Sequence, residues 1–239
     1  MLKQKNIILN NLKILQDRIQ TACLKNMRDP SSVQLLLATK TQDIETISIA
    51  LDAGFGLIGE NKIQELSSKI PLLSKHKTLI MPRENHFIGH LQSNKLKDAV
   101  RFADCIQSID QLNLALKLNN YCLSINKIQD IYIQVNTSQE LSKYGLDPDY
   151  FLEFLSQIQS CLNLNIKGLM TLGLQSEDEA LVRQGFTKLR ELSISARKLG
   201  LIPQDALTLS MGMSNDLEWA IAEGATLIRV GAAVFGARV

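Results

Sequence analysis

Three groups of residues in this chain have the types and spacing to do chemistry. The first is Lys40, which ends the apolar run Leu35-Leu36-Leu37-Ala38-Thr39. Side chains alternate along a strand, so Lys40 shares a face with Leu36 and Ala38. If that face points inward, the ammonium lies at the mouth of an apolar pocket. Burial favours the neutral amine, and a neutral amine can form a Schiff base with an aldehyde or ketone. The competing reading is a strand-end lysine that reaches solvent along its own alkyl stem.

The second group is the small-residue segment Ser210-Met211-Gly212-Met213-Ser214, together with Gly231-Ala232 further on. A strand ends at Ser210 and a helix opens near Asp216, with Asn215 and Glu218 at capping-box spacing. Small residues before a helix let backbone N–H groups and hydroxyls converge on an anion. The segment also reads as an ordinary turn with a helix cap. The third group is Arg229, between Ile228 and Val230 in an apolar strand. A guanidinium is always charged, only donates hydrogen bonds and is almost never buried without a partner. Its acceptor is either a carboxylate such as Glu60 or an atom of a bound ligand. An amine, an anion cradle and an arginine donor together imply a ligand with an aldehyde, a phosphate and a ring acceptor. Pyridoxal 5′-phosphate (PLP) carries all three.

The elements that must position these residues follow from periodicity. Strands are predicted over Val33–Thr39, Phe55–Gly59, His86–Gly89, Cys105–Ser108, Ile131–Asn136, Ile166–Thr171, Leu207–Ser210 and Leu227–Gly231. Helical patterns lie between them: Ile44–Ala53, Asn61–Ile70, Asn94–Phe102, Gln111–Leu123, Tyr150–Leu162, Glu177–Leu199 and Asp216–Glu223. An amphipathic helix built on Ile8, Leu12, Leu15, Ile19 and Ala22 precedes them. Alternation of this kind implies parallel strands with right-handed crossovers. The chain's 239 residues suit a (β/α)8 TIM barrel with an additional N-terminal helix. A doubly wound sheet is the alternative. No linker divides the chain, so residues 1–239 read as a single domain. In a barrel, function gathers where strands end, and the loops after strands seven and eight commonly hold phosphate. The segments "ALDAGFGLIGEN" and "AIAEGATLIRVG" echo each other, with Gly54 and Gly224 placed to end helices.

Other signals exclude function classes. Gly54-Phe55-Gly56-Leu57-Ile58-Gly59 matches G-x-G-x-x-G, but here a helix runs into a strand. The dinucleotide fingerprint needs the reverse order. Net charge is +2 with no long basic run, which argues against nucleic acid. Cys23, Cys105, Cys122 and Cys161 form no C-x-x-C pair and read as reduced thiols of a cytoplasmic protein. His76, His86 and His90 lack the spacing of a metal site. No membrane span or signal peptide is expected.

With these residues in place, the chain resembles the pyridoxal phosphate homeostasis protein family, relatives of the barrel half of alanine racemases. "LLLATKTQD", "IGENKIQE", "HFIGHLQSNKLK", "IYIQVNTSQELSKYGL", "IKGLMTL" and "LTLSMGMSNDLEWAIAEGATLIRVGAAVFGAR" carry the resemblance, in the family's order. It implies PLP held as an aldimine on Lys40. Ser210, Gly212 and Ser214, with the Gly231-Ala232 backbone, would hold the phosphate, and Arg229 would face the pyridine nitrogen. Asn61 would lie near the ring and Met170 would line the pocket. Departures from the pattern are Thr39 for a serine, Ala232 for a hydroxyl residue and Asn85 for a tryptophan.

The expected role is an intracellular PLP carrier and homeostasis factor without catalytic turnover, a monomer that supplies apo-enzymes. A PLP enzyme draws electrons into a protonated ring, usually with an acidic partner at its nitrogen, and an arginine cannot accept that proton. Racemases add a second base and a second domain, for which the chain is expected to have no room. One alternative is a small amino-acid racemase using Lys40, with Tyr144 as the second acid/base. Another is a phosphosugar aldolase or isomerase without PLP, with Glu60 as its one obvious strand-end carboxylate.

Overall fold

The computed structural model describes residues 2–74 and 83–236; His76 lies outside them. The expected alternation is present. In chain order the elements are α1 (Leu2–Lys25), β1 (Gln34–Ala38), α2 (Ile44–Asp52), β2 (Leu57–Glu60), α3 (Ile63–Leu73), β3 (Glu84–Phe87), α4 (Leu96–Phe102) and β4 (Cys105–Ile109). There follow α5 (Leu112–Ser124), β5 (Gln129–Gln134), α6 (Phe151–Gln157), β6 (Leu164–Met170), α7 (Glu179–Lys198), β7 (Thr208–Ser210), α8 (Leu217–Ala222), β8 (Leu227–Val230) and α9 (Ala232–Phe235). The strands are parallel and close into a barrel in sequence order, with β8 paired to β1. The architecture is the (β/α)8 barrel, not the doubly wound sheet.

Period-two alternation divides each strand between two environments. Leu37, Ile58, Phe87, Ile106, Ile131, Ile133, Leu169, Leu209, Ile228 and Val230 join the large apolar layer shared with the helices. Leu36, Cys105, Tyr132, Met170 and Leu227 form a separate, smaller apolar group. Leu36 pairs in register with Arg229. The strand face that carries Leu36 therefore also carries the unusual arginine.

Helix boundaries shift by a few residues from the sequence expectation, α3 running through Pro71 to Leu73 where Ile70 was expected to end it, and two differences have a visible cause. α6 stops at Gln157 instead of reaching Leu162, because the chain folds into tight turns in which Ile158 O accepts from Cys161 N. This buries Cys161 and leaves Leu162 exposed. At α8 the expected capping box does not form. Asp216 Oδ1 accepts from Met213 N at 2.5 Å, and Glu218 faces Arg18 instead. The helix α9 was not expected. Gly54 and Gly224 do follow helices in the left-handed region, with φ of 91° and 99°, as their echo suggested.

α1 buries the expected stripe Ile8, Leu12, Leu15, Ile19 and Ala22. Its polar residues reach the elements that follow the site loops. Gln4 Nε2 donates to Thr46 Oγ1 at 3.0 Å, and Asn11 Nδ2 donates to Val234 O at 2.9 Å. Arg18 Nε donates to Glu218 Oε1 at 2.7 Å, and its Nη2 donates to Glu218 Oε2 at 2.9 Å and Ser214 O at 3.0 Å. The helix thus braces α2, α8, α9 and the loop between β7 and α8.

Candidate functional site

Lys40 stands just past β1, half-buried, in the loop leading to α2. Thr39, one residue earlier, is fully buried and its Oγ1 donates to Glu60 Oε1 at 2.8 Å. Lys69 Nζ gathers the underside of this loop, donating to Thr39 O at 2.9 Å, Glu60 Oε1 at 2.8 Å and Glu65 Oε2 at 2.7 Å. Glu65 Oε2 in turn accepts from Thr41 N at 2.6 Å. Thr41 has φ of 67°, a left-handed conformation uncommon outside glycine, and this hydrogen bond helps hold it. Burial pushes the Glu60 carboxyl above its ordinary value, against the opposing pull of Lys69 and Thr39.

The Lys40 side chain opens on a cavity of about 410 Å³ lined by Asn61, Ile88, Gly89, His90, Gln134, Tyr144, Leu172, Met213, Ser214, Arg229, Gly231 and Ala232, among others. These residues lie at the C-terminal ends of the strands, where barrels place their sites. Six of the nine residues expected at the cofactor therefore meet here, Lys40, Asn61, Ser214, Arg229, Gly231 and Ala232, together with Tyr144, the acid/base of the racemase alternative.

Arg229 is 5% exposed and donates from Nη1 to Ser210 Oγ at 2.6 Å and from Nη2 to Thr171 O at 2.8 Å. Its partner is not Glu60, which is engaged by Lys69 and Thr39. Burial lowers the guanidinium to about 10, with the charges of Asp216 and Tyr132 acting the other way. It stays a cation at neutral pH.

Three expected site residues lie off the cavity. Ser210 is fully buried, and its hydroxyl is held between Gln107 Oε1 at 2.7 Å and Arg229 Nη1 at 2.6 Å. It braces the arginine where the sequence suggested a phosphate contact. Gly212 shapes the loop from behind. Its φ is 93°, and a Cβ there would meet Ala220 Cβ at 2.5 Å. Met170 is buried in the small apolar group with Leu36, behind the cavity lining. Gly231, by contrast, lines the cavity, and a Cβ there would lie 2.9 Å from Ala38 O.

Sequence reasoning missed His90 and Met213 as cavity residues. His90 stacks on Tyr144 with ring centroids 3.7 Å apart and planes 11° from parallel. The signal for His90 was its place four residues after His86. Its ring meets Tyr144 through the long loop between β5 and α6, where Gly145 N donates to Asp110 Oδ2 at 3.1 Å. Within the cavity lining, Asn61 Oδ1 and His90 Nδ1 are buried and have no hydrogen-bond partner among the described residues. A buried polar atom without a partner is costly, so both are available to a ligand. Among the described residues no three metal-ligating side chains gather, and no helix is long and apolar enough to cross a membrane.

Known proteins share this chain's sequence and fold. Residues 14–239 match the family model for the alanine racemase N-terminal domain. The pyridoxal phosphate homeostasis protein of Pasteurella multocida is 38% identical over 231 residues, 97% of either chain. That of Escherichia coli K12 is 35% identical, over 98% of this chain and 97% of its own. The solved structure of PipY from Synechococcus elongatus with PLP bound superposes with a TM-score of 0.78 at 32% identity, covering 92% of this chain and 99% of PipY. Alanine racemase from Corynebacterium glutamicum shares the fold at 12% identity, with a TM-score of 0.73 over 98% of this chain and 61% of its own. The chain belongs to the pyridoxal phosphate homeostasis protein family and carries the alanine racemase N-terminal domain.

Proposed function

We propose that this protein binds pyridoxal 5′-phosphate at the barrel mouth and serves PLP homeostasis and supply. The observation that carries the reading is the meeting of Lys40, Arg229, Ser214, Gly231 and Ala232 around one cavity. The donor set fits the cofactor. PLP brings an aldehyde open to an amine, an electron-withdrawing ring and a phosphate. Lys40 Nζ offers the amine. The Arg229 guanidinium can only donate and favours an unprotonated ring nitrogen. The Ser214 hydroxyl and the small residues Gly231 and Ala232 admit the phosphate close to the backbone. Asn61 Oδ1 and His90 Nδ1, buried without partners among the described residues, offer polar contacts to the ligand. Gly212 and Met170 support the site from behind, and Ser210 acts on it through Arg229.

The role is holding and release without robust turnover, because an arginine at the ring nitrogen weakens the electron sink on which PLP enzymes depend. The whole chain, residues 1–239, acts as one cytoplasmic PLP-binding domain, a monomer that hands cofactor to apo-enzymes. A racemase is the second reading. It is favoured by Tyr144, which lines the same cavity. Glu60, the carboxylate a phosphosugar enzyme would need, is tied to Lys69 and lines no part of the cavity.

The test is a visible absorption spectrum of the purified protein before and after borohydride, followed by peptide mass mapping. A band that disappears on reduction, with a phosphopyridoxyl mass on Lys40 and no band in Lys40→Ala, is expected. A protein that stays colourless after incubation with PLP would refute the reading. Racemisation of free amino acids that depends on Tyr144 would replace the carrier with the enzyme.

A further inference from the structure

Behind Arg229 and Ser210 the barrel interior continues a line of polar side chains, Gln107, His86 and Glu84, to which the binding reading gives no role. Arg229 Nη1 donates to Ser210 Oγ at 2.6 Å, and Ser210 Oγ donates to Gln107 Oε1 at 2.7 Å. Gln107 Nε2 lies 2.6 Å from His86 Nδ1, and His86 Nε2 lies 2.7 Å from Glu84 Oε1. Ser210, Gln107 and His86 are at most 1% exposed. Glu84, at the start of β3, has a side chain 54% exposed. The line therefore runs from the mouth of the barrel to its N-terminal end, where Glu84 lines a second cavity.

The donor directions follow from the chemistry of the groups. A carboxylate only accepts, so the nitrogen facing Glu84 carries a proton. The His86 hydrogen bond is the largest cause holding the Glu84 carboxylate below its ordinary value. Arg229 only donates, so Ser210 Oγ accepts from it and has one proton left to give. Gln107 must accept that proton with its oxygen, which turns its amide nitrogen toward His86 Nδ1. His86 Nδ1 is then the acceptor, and the ring is the neutral Nε2–H tautomer. Every group has a partner in this arrangement, and each bond points from Arg229 toward Glu84. A proton on His86 Nδ1 would face the Gln107 NH₂. Turning the amide over would leave the Ser210 proton without an acceptor among these residues. The His86 ring is also fixed edge-on to Tyr132, with centroids 5.9 Å apart and planes at 81°.

We propose that Ser210, Gln107 and His86 are positioning residues for Arg229, forming a one-way hydrogen-bond chain that ends on Glu84 and sets how the guanidinium meets the cofactor ring. Hydrogen bonds in such a chain polarise one another in a low-dielectric interior. The far end therefore influences the donor strength of Arg229 at the mouth. The inference deepens the PLP reading and rests on it.

The first test uses the protein without cofactor, so that it stands apart from that reading. Nitrogen-15 NMR at neutral pH is expected to show His86 as the Nε2–H tautomer, and Gln107→Leu is expected to release that preference. The Nδ1–H tautomer or an imidazolium in the wild type would overturn the proposal. The second test compares cofactor-loaded wild type, Ser210→Ala and Ser210→Thr. Ser210→Ala is expected to shift the visible absorption maximum and weaken PLP binding about fivefold, the loss of one hydrogen bond. Ser210→Thr, which keeps the hydroxyl, is expected to restore both. If Gln107→Leu does not fold, this serine pair decides the matter. Variants that lower thermal stability but leave the absorption maximum and affinity unchanged would make the chain merely structural. A colourless wild type would refute the PLP reading while leaving the tautomer result to stand or fall by itself.

Discussion

The two faces of the barrel strands make opposite use of the same period-two pattern. The face turned toward the helices is mainly hydrocarbon, from Leu37 and Ile58 through Ile131 and Leu169 to Ile228 and Val230, interrupted by partnered polar residues such as Asn85, which stands in register with Ile58 and bonds Asp104. The other face mixes a few apolar residues, Leu36, Tyr132 and Met170 among them, with His86, Gln107, Ser210 and Arg229. Stability therefore comes mainly from the outer layer, where burial of apolar area scales directly into free energy. The inner face contributes less, because each buried polar group there needs a partner to offset its desolvation. What it supplies is a small number of aimed donors.

Substitutions can break this comparison, and the largest effect belongs to the outer layer. Phe154 on α6 is fully buried. Phe154→Ala is expected to destabilise the fold by about 3–5 kcal/mol, measured by urea denaturation, with PLP affinity unchanged in the folded fraction. Arg229→Met should show a different pattern. It removes a buried charge but leaves Ser210 Oγ and Thr171 O without that donor, so a stability cost of about 1–3 kcal/mol, below that of Phe154→Ala, is expected. Loss of a charged donor should in addition cost about 2 kcal/mol of PLP affinity, on the order of thirtyfold, read by spectrophotometric titration. If Arg229→Met proved as destabilising as Phe154→Ala, the division between the faces would fail.

Smaller effects sharpen the picture at the rim. Arg18 and Glu218 are partly exposed, at 33% and 44%, so Arg18→Ala should cost under about 1 kcal/mol of stability. The same change frees Ser214 O, and phosphate affinity should fall a few-fold, the loss shrinking as salt rises. The smallest expected effect is on the pH dependence of unfolding. Burial pushes Glu223 upward, but hydrogen bonds from Thr187, Arg183 and Arg190 outweigh it and leave the carboxyl below its ordinary value of 4.5. A lowered folded-state pKa means stability that is present above the unfolded value and is lost as pH falls through the folded one. Melting temperature should therefore decline more steeply below about pH 4.5 in the wild type than in Glu223→Gln, followed by circular dichroism.

The legibility of the site varied residue by residue. Lys40 and Arg229 were visible because a charge in an apolar run is rare whatever surrounds it. Ser214, Gly231 and Ala232 were visible through small size just past strand ends. Ser210, expected at the phosphate, has its hydroxyl engaged by Gln107 and Arg229. It ends β7 on the inner face, and alternation alone could not tell a residue that reaches the ligand from one that reaches the arginine behind it. Glu60 was offered as an arginine partner because it ends a nearby strand, but its side chain faces Lys69 on α3. Nothing in the sequence paired His90 with Tyr144, since they lie in separate loops, after β3 and after β5, that have no periodicity to read.

Local periodicity and residue chemistry settled the alternation of strands and helices, the N-terminal amphipathic helix, and the presence of one amine and one guanidinium among apolar neighbours. These are properties of short windows, and a window carries its own 2.0 or 3.6 repeat. Barrel closure decided the rest. It joined β8 to β1, so that Arg229 lies beside Leu36. It also brought Gln107 to Ser210 across 103 positions of sequence. Such contacts depend on strand register and on side-chain rotamers packed from several directions at once. No single window contains that information.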